Sequence, residues 1–148
     1  MQASIWLIDM SDVSEAFRKK LQADTGTGGL MTLVSGVFED IAPEGSTYPY
    51  CVVQVQSPAL PNYSFGTSVP SDESTVIAAR IVDKNLSSAA AEDAAKRLKT
   101  LMQDAALSIT GKILLWCRWR SDIDYSTYEV QEIYRHKGSM WNVKVSAG

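Results

Sequence analysis

The sequence predicts an α+β fold: a mostly antiparallel sheet of about 4–6 strands packed against two helices, with a long hairpin-like loop. Three observations predict it. Two stretches, one starting at Ser11 or Asp12 and one at Ser87 or Ser88, space their apolar residues at helical intervals. Tyr50 to Ser57, Thr75 to Asp83 and Met140 to Ser146 alternate apolar and polar residues at the strand period. The connections are short and polar, which favours antiparallel neighbours over long crossovers. At 148 residues the chain has the size of one domain, and residues 1–148 are expected to form it without metal or disulfide support.

The first helix has Asp12 and Glu15 at capping-box spacing, and both acids suit the positive end of the helix dipole. Val13, Ala16, Phe17 and Leu21 form its apolar stripe, with Arg18, Lys19 and Gln22 on the other side. Gly26, Gly28 and Gly29 end it, and Leu30 to Val34 form a short apolar turn. Val37 to Ile41 reads as a short strand and APEGSTYP as the turn after it. In Tyr50 to Ser57, Cys51, Val53 and Val55 share a face opposite Gln54 and Gln56. Ser57 to Asp72, with three prolines around Tyr63 and Phe65, is a long hairpin loop or a loosely paired extension.

Thr75 to Asp83 places Ile77, Ala79 and Ile81 on one face. In the second helix, Ala91, Ala94, Ala95, Leu98, Leu101, Met102 and Ala105 form the stripe, and its small early residues allow close approach to a sheet. Lys96, Arg97 and Lys99 are expected on a solvated face. Lys112 to Arg120 is apolar on both faces, as in a central strand covered on both sides. A polar turn is expected around Ser121 to Thr127, a strand over Tyr128 to His136, a turn at Lys137-Gly138 and a last strand from Met140.

The composition excludes several functions. With 14 basic and 17 acidic residues the net charge is −3, which disfavours general affinity for a polyanion. A hydrophobic fraction of 45% is too apolar for a disordered chain. The opening MQASIWLIDMSDV lacks the basic flank and apolar length of a signal peptide, and no apolar run reaches the ~18 residues of a membrane span. The expectation is a soluble protein made in the cytosol. Cys51 and Cys117 sit in apolar strand-like runs and no C-x-x-C exists. They read as core thiols, with a pair meeting across the sheet as the alternative.

Candidate chemistry is sparse, and no catalytic residue, cofactor or metal site is assigned. The single histidine, His136, stands between Arg135 and Lys137, a poor setting for a general base. Gly26-Thr27-Gly28-Gly29 follows a helix and lacks a closing Gly-Lys-Ser/Thr, so it reads as a helix end rather than a phosphate loop. The acids show no EF-hand spacing, and Glu39-Asp40 reads as a solvated strand end. Trp116, Arg118, Trp119 and Arg120 have the composition of a nucleic-acid stacking face, but the tryptophans straddle an apolar strand. Most of these residues are therefore expected in the core, with the arginines at a strand end or sheet face and nucleic-acid contact as the lesser alternative. Tyr63, Phe65, Tyr125 and Tyr128 lie in loop-like segments and are the candidate subunit or partner contacts, unless those loops fold back on their own domain.

VFEDIAPEGSTYPYCVVQVQS, Val37 to Ser57, with the helix before it, the loop at Pro58 to Asp72 and the Ala-rich helix at Ser87 to Ala106, resembles the tail-completion or tail-terminator proteins of long-tailed bacteriophages. The strand, the Pro49-Tyr50 entry and the next strand carry the likeness; Ile81-Val82-Asp83 departs from the family's aromatic at the strand end, and Trp116 to Arg120 is bulkier. The resemblance implies a non-enzymatic virion protein, a homo-hexameric ring on the head-proximal end of the tail tube. Such a ring stops tube polymerisation and meets the head connector or neck protein, and DNA passes its channel without specific binding. The loop Pro58 to Asp72 is then the segment expected to reach a neighbour or the tube, and its deletion is expected to leave the monomer folded but to abolish assembly. Alternatives are a head-completion or neck protein of the same machine and a host α+β binding module, with an enzyme last.

Overall fold

The computed structural model describes residues 11–56, 60–63, 70–84 and 88–147. The elements are α1 (Ser11–Gln22), α2 (Leu30–Leu33), β1 (Val37–Glu39), β2 (Tyr50–Val55), β3 (Leu60–Tyr63), β4 (Pro70–Lys84), α3 (Ser88–Met102), β5 (Lys112–Glu129) and β6 (Glu132–Ala147). The strands form one sheet in the order β1-β2-β4-β6-β5, with β3 also paired to β4. Only the β1–β2 pair is parallel. The α+β, mostly antiparallel expectation therefore holds.

Both long helices lie on one face of the sheet. Val13, Phe17 and Leu21 of α1 and Ala91, Ala94, Leu98 and Met102 of α3 are fully buried against Cys51, Val53, Ile77, Ala79, Ile81, Trp141, Val143 and Val145. The expected stripes are thus the buried ones. Alanines at 91 and 94 bring α3 close to β4 and β6, and Leu98 and Met102 fill the space further along. Cys51 and Cys117 are both free and buried.

The glycine-rich connection is held by Asp24. Its carboxylate accepts the Leu30 backbone N–H at 2.6 Å and two guanidinium bonds from Arg97, at 2.8 and 2.9 Å. Arg97 therefore ties α3 to the end of α1 rather than standing on a solvated face, and its hydrogen bond holds the Asp24 carboxyl below the usual carboxylate range. Glu39 is also not simply solvated. It accepts Ser14 Oγ–H at 2.6 Å and Arg18 Nε–H at 3.1 Å, fastening α1 to β1. Glu15 pairs with Lys19 one turn on, at 2.9 Å.

The largest correction concerns the last third of the chain. No turn occurs at Ser121 to Thr127 or at Lys137-Gly138: β5 and β6 form one long hairpin, in register from Lys112 opposite Ala147 to Glu129 opposite Glu132. The turn is at Val130-Gln131, both at positive φ (37° and 69°), the conformation of a two-residue hairpin loop. Neither residue is a turn former, so composition hid it. Gly138 looked like a turn because glycine usually marks one. Here it lies inside β6, where a Cβ would run into the Ala79 carbonyl oxygen and the Arg80 Cα of β4.

A second correction follows. β5 is an edge strand, not a central one, because it ends the strand order. Its apolar residues on both faces are therefore not all covered.

The face without helices is closed at one end by aromatics. The turn before β2 folds Tyr48, whose peptide to Pro49 is cis, against Tyr50 and Tyr134 at ring separations of 5.1 and 5.7 Å, with Phe38 beside Tyr50. Val52, Ala78 and Val82 are buried on this side.

Candidate functional site

Apolar surface is concentrated on the β5 edge. Among the described residues, every exposed large apolar side chain except Ile41 belongs to β5 or its turn: Ile113, Leu115, Trp119, Tyr125, Tyr128 and Val130. Tyr128 is 75% exposed and Val130 95%. Single exposed apolar residues are ordinary; these are set apart by falling on one strand and its turn, at the edge of the sheet. Trp119 was expected in the core and stands instead at this edge. Its indole N–H donates to Asp122 at 2.9 Å, and the Lys99 ammonium lies 4.5 Å over the ring. Trp116 is half-buried with Arg118 over it, so among the described residues Trp141 is the tryptophan that fills the core.

The edge is built to resist plain strand addition. Bulges at Leu115 and Arg120 interrupt its register with β6. At mid-strand the end of α3 occupies the outer backbone groups: Asp104 N–H donates to the Cys117 carbonyl at 3.0 Å, and Trp119 N–H donates to Gln103 Oε1 at 3.2 Å. An edge protected in this way does not offer a continuous ladder to a further strand.

Tyr125 and Tyr128 lie within β5 rather than in loops. Tyr125 stacks flat on His136, ring centroids 4.4 Å apart, and thus packs partly on its own sheet, whereas Tyr128 points free near the turn. Tyr63 ends β3, Phe65 lies outside the described residues, and the sequence expectation for both remains a proposal. Deleting Pro58 to Asp72 would remove β3 and the first residues of β4, where Asp72 pairs with Ser146. That deletion would cut into the sheet, contrary to the expectation that it leaves the fold intact.

His136 is buried on the helix-free face. Its Nε2 lies 3.0 Å from Thr127 Oγ1, and Nδ1 has no hydrogen-bond partner among the described residues. Alternation sends Arg135 and Lys137 to the opposite face, so the flanking cations named from sequence are not its surroundings. Burial first, and the Arg80 charge second, lower its pKa from the ordinary 6.5. A lowered folded-state pKa means that the unfolded chain binds the proton more tightly. Stability is therefore full above pH 6.5 and is lost as pH falls through the folded-state value. His136→Gln is expected to flatten the unfolding midpoint measured below pH 6.5, while leaving steeper acid loss to the carboxylates; an unchanged slope in that window would contradict this.

Beside Tyr125, a cavity of about 300 Å³ is lined by Gln56, Ala78, Arg80, Ile123 and Met140. Burial pushes both cysteine thiols up to about 12, which leaves no thiolate nucleophile at neutral pH. Among the described residues no three His, Cys, Asp or Glu side chains are grouped to hold a metal ion, and no helix is long and apolar enough to cross a membrane.

No protein-family model matches the chain, and no curated protein matches it by sequence. Solved structures do match. A chain of the virion of the native gene transfer agent particle is 16% identical, covers 90% of this chain and 94% of its own, and superposes with a TM-score of 0.68. The bacteriophage SPP1 gp17 protein is 16% identical over 100% of this chain and 97% of its own, with a TM-score of 0.47. The match to the gene transfer agent chain is a likeness of fold over nearly the whole of both chains.

Proposed function

We propose that this chain is a non-enzymatic structural protein of a phage-like virion, of the tail-terminator kind. One unit, residues 1–148, assembles with copies of itself into a ring, six being the expected number, on the head-proximal end of the tail tube. There it stops tube polymerisation and offers the joining surface to the head connector or neck protein. DNA passes its channel without specific binding, as suits a net charge of −3, and neither cofactor nor membrane takes part. It would be made in the host cytoplasm and end in the virion.

The observation that carries this reading is the row of exposed apolar residues on the β5 edge, in a chain whose fold matches that of a virion component. A ring repeats one heterologous interface, so each subunit must present two different surfaces. The apolar β5 edge provides one of them.

The test is to polymerise purified tail tube protein with and without this chain and to measure tube lengths by electron microscopy. Shortened tubes with added density at one end are expected. Tubes of unchanged length with bare ends would contradict the terminator reading, and binding to portal-adaptor complexes instead would make the chain a neck protein.

A further inference from the structure

A groove lies at the other end of β5. Two adjoining cavities, of about 350 and 420 Å³, share Ala106, Leu107 and Ser108. Lys19 and Lys20 of α1 stand on one wall, and Ile113 and Leu114 at the start of β5 form the other. The groove is thus apolar along its floor and basic along one rim. The hairpin turn has the opposite character: Tyr128 and Val130 project into solvent on either side of the exposed acid Glu129.

We propose that the β5–β6 turn of one copy of this chain docks into the groove between α1 and β5 of the next copy. The proposal rests on the ring reading and names its interface. Tyr128 and Val130 would fill the groove against Leu107 and Ile113, and Glu129 would face Lys20, with Lys19 already paired to Glu15.

Three features favour this occupant. Charge is complementary between turn and groove, whereas turn against turn would oppose Glu129 to Glu129. Edge-to-edge pairing of two β5 strands is blocked at mid-strand by Gln103, Asp104 and the two bulges. Turn and groove also sit at opposite ends of an 18-residue strand, at most about 55 Å apart at the strand rise. They cannot satisfy each other within one subunit, so the contact runs head to tail, the kind of interface that yields a ring when its rotation closes.

The test uses the full chain carrying Val130→Cys together with Ser108→Cys, both at exposed positions. Native Cys51 and Cys117 are buried and do not compete. On mild oxidation the double variant is expected to give a covalent ladder that stops at the ring's subunit number, while each single variant gives at most dimers. Separately, Tyr128→Ala with Val130→Ala is expected to raise the concentration needed for assembly at least ~10-fold without changing the thermal midpoint. Glu129→Lys is expected to weaken assembly, and adding Lys20→Glu to restore it. A wild-type multimer with no ladder, or with undiminished assembly of the Tyr128/Val130 variant, overturns the docking and leaves the ring standing. A wild-type chain that stays monomeric overturns the docking as well, and the tube assay then judges the terminator reading on its own.

Discussion

Replacing Trp141 with alanine is expected to cost about 3–5 kcal/mol of unfolding free energy, the range for removing a large fully buried aromatic. Trp141 is 0% exposed in the middle of β6, opposite Ile77 of β4 and Trp119 of β5, with the Phe17 ring of α1 6.4 Å away. Sheet and helix therefore both lose their shared contact when the indole goes. Among the described residues the indole N–H has no hydrogen-bond partner, a desolvation cost that the tryptophan carries in the native state. Trp141→Phe removes that cost along with some volume, so its loss should be smaller by at least about 1 kcal/mol. Urea unfolding of the three proteins measures both differences. A loss below ~1 kcal/mol for Trp141→Ala would contradict the placement of this ring at the centre of the core.

Gly138→Ala should be nearly as damaging, at about 3 kcal/mol, near the upper end of what overpacking costs. The new methyl would meet backbone of β4, the Ala79 carbonyl and the Arg80 Cα, rather than the end of a flexible side chain. Backbone cannot step aside without widening the β4–β6 pairing, which is long and central to the sheet. The same substitution at Gly26, where a Cβ meets nothing within 4 Å, is the control and should change stability by no more than about 0.5 kcal/mol. If Gly138→Ala unfolds at the wild-type urea midpoint, the close approach of the two strands is refuted.

The two helices and the first half of the sheet were legible because period and partner agree there. Val13, Phe17 and Leu21, and Ala91, Ala94 and Leu98, are spaced for a helix and are the residues buried on it. Cys51 and Val53 alternate and meet Ile81 and Ala79, which alternate too. The hairpin was not legible. Its strands carry Ser121, Asp122 and Asp124 mid-strand and glycine at 138, which are turn residues by habit, whereas its turn is Val130-Gln131. Long pairing with β6 overrides those local preferences. The edge position of β5 was hidden for a related reason. An edge strand with apolar residues on both faces has the same pattern as a central strand covered on both sides, and Trp119 was placed accordingly. Of the candidate contacts, Tyr128 could be named from sequence by its aromatic character, but not Val130, whose role rests on the turn placing it in solvent.

The account stands most directly on whether this surface associates. The decisive measurement is the mass of the full chain in solution by light scattering, over a wide concentration range, with and without divalent cation. A discrete multimer that forms with concentration, six copies being expected, and that is visible as rings by electron microscopy, is the predicted result. A strict monomer throughout that also fails to bind tail tube ends would contradict the account.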